Sequence, residues 1–236
     1  MILLSASNVI RTLKSMAMYN KLSEIAVLEC IEQSKILSHA FKFYLERNSS
    51  ISAPYHNADH MFEMLSMMLD CKSLGFKDLV SLTEDDWETI LLATIFHDFN
   101  HSNGKYDDEI NVTNAKEAFT SFCTLEKYEN KMVYELIDAT QYPYTVKKPT
   151  LQQLVIREID TLSMIFHSHF FTHSFLGLRT ECRVNSLYTC MDCMRVFMSN
   201  AMENFKLGYS HHMLRTSGYD LDHKSMWNVI NKIINK

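Results

Sequence analysis

Proline and glycine are scarce in this sequence, with 3 and 5 among 236 residues. So little punctuation excludes a fold of many short strands and favours long helices. Long apolar runs are missing too. No stretch reaches the roughly 18 consecutive apolar residues that read as a membrane span. Met1-Ile2-Leu3-Leu4 lacks the basic flank and long apolar region of a secretory leader. An excess of positive charge is also absent: 23 Lys and Arg face 28 Asp and Glu, for a net charge of −5. Lys147-Lys148, the largest basic cluster of the central region, is too small a footprint for duplex nucleic acid. The 6 cysteines of a chain without a leader read as reduced thiols, so a cytoplasmic location is expected. Cys190 and Cys193 have a zinc-like spacing, but no second Cys/His pair completes it nearby. Packing on a helix is the reading kept for them.

What is present fits one all-α domain. Apolar residues make up 47% of the chain, too many for disorder, and 15 methionines suggest an adaptable core. Residues 22–47 read as one amphipathic helix, although Glu32 falls in its apolar stripe. A helix over 59–73 follows Pro54. Thr83-Glu84-Asp85-Asp86 resembles a capping box and opens a helix that ends at His97-Asp98. Asn103-Gly104 marks a turn, and Asp107-Asp108-Glu109 are read as acids starting the next helix. Tyr142-Pro143-Tyr144 breaks the chain, and Thr150 to Gln153 is a second capping box opening a helix through Asp160. Further helices are expected over 181–206 and 222–235. No repeat, linker or low-complexity tract divides residues 1–236.

The chemistry concentrates in two short stretches, Tyr55-His56-Asn57-Ala58-Asp59-His60 and Phe96-His97-Asp98-Phe99-Asn100-His101. Neutral imidazole from His60 and His97 with carboxylate oxygen from Asp98 suits Zn, Mn, Fe or Mg according to geometry. The apolar run Ile90 to Phe96 buries its end, where an ionised Asp98 is costly unless paired or coordinating a cation. His56 lies four residues before His60, so one helical face would place it as a proton donor beside an ion that His60 holds. His167, His169 and His173 alternate with phenylalanines and read as packing.

Tyr-His-Asn-x-x-His at 55–60, an apolar helix, and His-Asp-x-x-His at 97–101 resemble the HD-domain metal phosphohydrolases. Within them the pattern is closest to the cyclic-nucleotide phosphodiesterases. The resemblance covers roughly residues 50 to 175, with helical extensions over 1–49 and 176–236. It implies a helical bundle of the HD/phosphodiesterase type and one or two divalent ions held by His60, His97, Asp98 and Asp160. Asp160 lies in Glu158-Ile159-Asp160-Thr161-Leu162-Ser163, which looks like the Asp-x-Asp-Leu-Ser stretch of small bacterial HD proteins. Glu158 replaces the first Asp, and Thr161 interrupts the match. The resemblance makes His56 the general acid, with Asp59 or Glu109 as its carboxylate partner, and His101 a residue orienting water. Tyr55, Asn57 and Lys105 are candidate substrate contacts.

The implied substrate is a nucleotide phosphoester, first a cyclic mono- or dinucleotide. The family's C-terminal glutamine and phenylalanine clamp have no match in this sequence, and Ser102-Asn103 stands where Pro-Gly is usual there. Nucleoside monophosphate hydrolysis, di-iron oxygenase chemistry on the same scaffold, and a non-catalytic nucleotide-binding module remain open. A plain helical bundle with buried histidines is the fourth reading.

Overall fold

The computed structural model describes residues 21–102, 104, 107–166, 174–183 and 186–216. Ten α-helices follow one another among these: α1 (Lys21–Gln33), α2 (Lys35–Arg47), α3 (Ala58–Ser73), α4 (Glu84–Phe96) and α5 (Asp108–Glu126), then α6 (Lys131–Thr140), α7 (Leu151–Phe166), α8 (Leu176–Glu181), α9 (Leu187–Glu203) and α10 (Gly208–Thr216). One 3-10 turn, Lys77–Leu79, sits between α3 and α4, and no strand occurs among the described residues. No described helix is long and apolar enough to cross a membrane. The helix expected over 222–235 lies outside the described residues.

The architecture is built around α4. Every residue of this helix from Ile90 to Phe96 is buried, as expected of a helix apolar on all sides. It packs against α2, α3, α5, α6 and α7. Phe43, Phe96, Phe99, Phe119 and Phe122 join its C-terminal end to α2 and α5 through rings 5.2–5.9 Å apart. Burial of one such side chain contributes about 1.5–3 kcal/mol. At the other end Thr83 and Asp86 form the reciprocal capping box that the sequence indicated.

Residues 22–47 are two helices and not one. Ser34 is extended (φ −105°, ψ 123°), and its hydroxyl accepts from the Leu37 N–H, capping α2. The same hydroxyl donates to Glu88 of α4. The break resets the helical phase, so Glu32, which a single helix would place in the apolar stripe, is exposed. Residues 181–206 likewise divide, because Cys182 ends α8 and Ser186 caps α9.

Two polar connections anchor what the apolar core does not reach. The turn after α2 grips the turn after α4: Asn48 Oδ1 accepts from the Asn100 N–H at 2.8 Å, and Ser50 Oγ donates to the Asp98 carbonyl at 3.2 Å. Asn100 there takes a left-handed backbone (φ 56°), which asparagine tolerates better than most residues. Glu158, on α7, accepts from the Lys206 and Leu207 N–H groups and from Ser210 Oγ at 2.7–3.1 Å. Its carboxylate thereby satisfies the start of α10, where negative charge suits the helix dipole. Thr83→Ala should cost about 1 kcal/mol and Phe96→Ala about 3–5 kcal/mol of unfolding free energy in urea titrations.

Candidate metal centre

Three helices deliver the cluster. Asn57 caps α3 by accepting from the Asp59 and His60 N–H groups, which fixes His60 in the first turn. His97 and Asp98 follow the last turn of α4, and Asp160 projects from α7. His60 Nε2 lies 3.3 Å from Asp98 Oδ2 and 3.2 Å from Asp160 Oδ1. His97 Nε2 lies 2.9 Å from Asp98 Oδ2 and 4.0 Å from Asp160 Oδ1. Both imidazoles are buried, and the two carboxylates are 21% and 28% exposed on the side facing a cavity.

The tautomers follow from the neighbours. His97 Nδ1 is 2.8 Å from the Thr94 carbonyl, which can only accept, so Nδ1 carries the proton. Ser163 Oγ donates to the Asp160 carbonyl at 2.7 Å and therefore accepts from His60 Nδ1 at 3.3 Å. Each neutral imidazole thus aims an Nε2 lone pair into the cluster, toward carboxylate oxygens. His60 Nε2, His97 Nε2 and Asp98 Oδ2 are all buried and make no hydrogen bond. Lone pairs facing lone pairs require a positive charge between them. Burial alone would lower the histidines, but Asp160 and Asp98 outweigh it and raise His60 to about 10. Burial likewise opposes Asp98, whose carboxyl is nonetheless held well below its usual range by His97 and His56. A divalent cation meets the same demand with two nitrogen and two oxygen donors, a set that fits Zn, Mn or Fe. The hydrogen bonds behind each histidine are the outer support that metal ligands require.

Beside this cluster stands a second group. His56 Nδ1 bonds Glu181 Oε2, while Glu181 Oε1 accepts from the Tyr55 and His56 N–H groups at 2.6 and 3.0 Å. Glu181 therefore replaces the expected partners of His56, because Asp59 and Glu109 both point into solvent. Burial would raise Glu181, yet His56 and these N–H groups hold its carboxyl below the ordinary value. Burial also opposes the His56 imidazolium, and Asp98 and Glu181 together raise it. Two glycines let α8 approach this closely. A side chain at Gly177 would collide with the Pro54 carbonyl, and one at Gly104 with the Glu181 carbonyl.

His101 stacks on His56 with ring centroids 3.6 Å apart, and it is buried, not in a solvated loop. Asn111 decides its state. The Ser102 N–H donates to Asn111 Oδ1 at 2.9 Å, so Asn111 Nδ2 donates to His101 Nε2 at 2.9 Å. His101 is consequently neutral, and burial with the neighbouring His56 charge lowers it to about 4. Asn57 does not belong to the cavity wall: its amide is taken up by the α3 cap and by the Ala53 carbonyl. Tyr55 does line the cavity, its ring 4.7 Å from that of His60.

The cavity holds about 320 Å³ and is floored by His97, Asp98 and Asp160. Its apolar wall includes Tyr142, Tyr144, Met164 and Phe197, and Cys182, Cys190 and Cys193 also face it. Cys190 is packed as expected, whereas Cys193 is exposed. Lys105, His167, His169 and His173 lie outside the described residues. No family model, curated protein or solved structure matches the chain. Glu181, Asn111 and Asp108 are the site-facing polar residues that the sequence patterns did not single out for this place. If the cluster holds a cation, elemental analysis of purified protein should find one or two equivalents of a divalent metal. Asp98→Ala and His97→Ala should reduce that content to background while retaining the helical circular dichroism spectrum.

Proposed function

We propose that this protein is a metal-dependent phosphohydrolase of the HD type, acting on a nucleotide phosphodiester. The observation that carries this reading is the set of unsatisfied lone pairs on His60, His97 and Asp98, converging with Asp160 at the floor of a cavity. A bound divalent cation would supply Lewis acidity, lowering the pKa of water and neutralising charge on phosphoryl oxygens. His60, His97, Asp98 and Asp160 would hold it.

The chain's own groups divide the remaining tasks. Hydrolysis breaks a phosphorus–oxygen ester bond, and the departing oxygen needs a proton. His56 supplies it from Nε2, since Nδ1 is engaged by Glu181. Glu181 stays ionised and keeps His56 in its acid form. Neutral His101 stacks beneath His56 and fixes the ring plane without competing for the proton. Tyr55 closes the cavity on the side of His60.

Charge favours a diester over other phosphate compounds. Among the described residues lining the cavity there is no lysine or arginine, and Asp108 adds a carboxylate. Asp98 and Asp160 already offset a divalent cation, so a monoanionic diester adds the least further negative charge. A dianionic monoester or a polyphosphate would add more of it to a half-buried, carboxylate-lined site. Cyclic nucleotides are the first substrates to test, followed by cyclic dinucleotides. A second reading, oxygen chemistry on two irons, rests on His56, His101 and Glu181, whose potential ligand atoms lie within 4.8 Å of one another.

Two experiments test the hydrolase reading. Purified protein with added Mn should hydrolyse cyclic AMP or bis(p-nitrophenyl) phosphate, and a chelator should stop it. Iron as the dominant metal, together with oxygen consumption and no hydrolysis, would favour the oxygenase. His56→Ala should keep its metal and lose roughly 10²–10⁴-fold in kcat. Glu181→Gln should move the alkaline limb of the kcat profile to lower pH. The acid form of His56 exists below its pKa and is lost as pH rises through it, and removing Glu181 lowers that pKa. An unchanged limb would show that His56 is not the acid.

A further inference from the structure

Asp108 was read from the sequence as a helix-start acid, and it does occupy the first turn of α5. Its side chain, however, is half-buried and lines the cavity. There Oδ2 accepts from the Tyr142 N–H at 2.6 Å, which ties the loop after α6 to α5. Among the described residues the other oxygen, Oδ1, has only a long contact of 3.4 Å with Asn111 Nδ2, whose shorter bond goes to His101. An ionised carboxylate offers about four acceptor sites. Asp108 therefore retains acceptor capacity on the side open to the cavity.

The surroundings say what could fill it. Tyr142 packs edge-on against Phe197 at 4.8 Å and against Tyr144 at 5.6 Å, making an aromatic corner beside Asp108. Tyr144 is held in turn by the Arg157 guanidinium over its ring at 3.6 Å and by Thr161 at its hydroxyl. The corner is thus fixed from α5, α7 and α9 together. Aromatic faces of this kind accept planar rings. A carboxylate beside them rejects a ligand edge that carries only acceptors and selects one that carries a donor.

We propose that Asp108 is a specificity residue, accepting a hydrogen bond from an N–H or O–H donor of a substrate whose planar ring lies against Tyr142 and Phe197. The inference rests on the phosphodiesterase reading and names the part of the substrate remote from phosphorus. The donor has two possible sources in a nucleotide, the exocyclic amine of the base or the ribose hydroxyl.

The test uses the full chain with Mn and four substrates. Cyclic AMP carries both donors, and its analogues without the exocyclic amine or without the ribose hydroxyl each lack one. Bis(p-nitrophenyl) phosphate carries neither. Asp108→Ala should lower kcat/KM for cyclic AMP by roughly 10–100-fold, the usual range for a hydrogen bond to a charged group. Bis(p-nitrophenyl) phosphate should be unchanged within about threefold, and the analogue that wild type already discriminates against identifies the donor. Asp108→Asn keeps an acceptor for the Tyr142 N–H, so a loss there of the same selectivity excludes a purely loop-holding role. Equal losses on every substrate, or none, would overturn the proposal. If nothing is hydrolysed, the phosphodiesterase reading fails, and calorimetry of cyclic AMP binding in chelator still decides Asp108. Weaker binding to Asp108→Ala than to wild type sustains its role as acceptor, and equal binding ends it.

Discussion

The arrangement depends on one electrostatic constraint: two carboxylates, Asp98 and Asp160, face two buried imidazoles whose protons are engaged elsewhere. The imidazoles are buried and the carboxylates largely so, and little of the charge is diluted into solvent. Something positive has to sit there for the four groups to remain as placed. The helices around the cluster are arranged to make that demand strict. Thr94 and Ser163 orient the imidazoles, and the gripping turn at Asn48 to Ser50 sets the backbone that carries Asp98. A looser scaffold would let either carboxylate swing to solvent and relieve the demand.

Helix α4 explains how so rigid a site arises in a chain poor in turn-forming residues. Its burial on all sides means that it can be displaced only by repacking its five helical neighbours. The pair His97-Asp98 sits where the buried stretch Ile90 to Phe96 of this helix runs out, at the boundary between core and cavity. The phenylalanines that seal that boundary on the other side come from α2 and α5, and they leave the cavity as the open direction.

Much of this was legible in the residues, and the exceptions have physical causes. Helix identity followed from periodicity and caps, because Thr83 and Thr150 act within a few residues of themselves, whereas Asn57 was read as a substrate contact and is a cap. Three members of the histidine–aspartate cluster were legible because they come in two tight motifs at helix ends, whereas Asp160 lies inside α7. The break at Ser34 was not, since one serine inside an amphipathic run reads as a tolerated polar residue until Glu88 is seen bonding it. Glu158 stood out only as a departure from the Asp-x-Asp-Leu-Ser pattern, and its carboxylate meets the start of α10, a contact no local pattern encodes. The partner of His56 was misjudged for the same reason. Nearby acids were weighed, whereas Glu181 reaches it across 125 positions. The aromatic corner is likewise a meeting of residues from separate elements.

That long separation orders events during synthesis. All four residues of the candidate cluster are made before Glu181, since Asp160, the last of them, precedes it in the chain. A nascent chain ending after α7 already carries the residues of that cluster, but His56 has no Glu181 to bond. The His56–Glu181 pair forms only once α8 packs through Gly177 against the loop at Pro54. The two neighbouring groups are therefore completed by different stretches of the chain, the second later than the first.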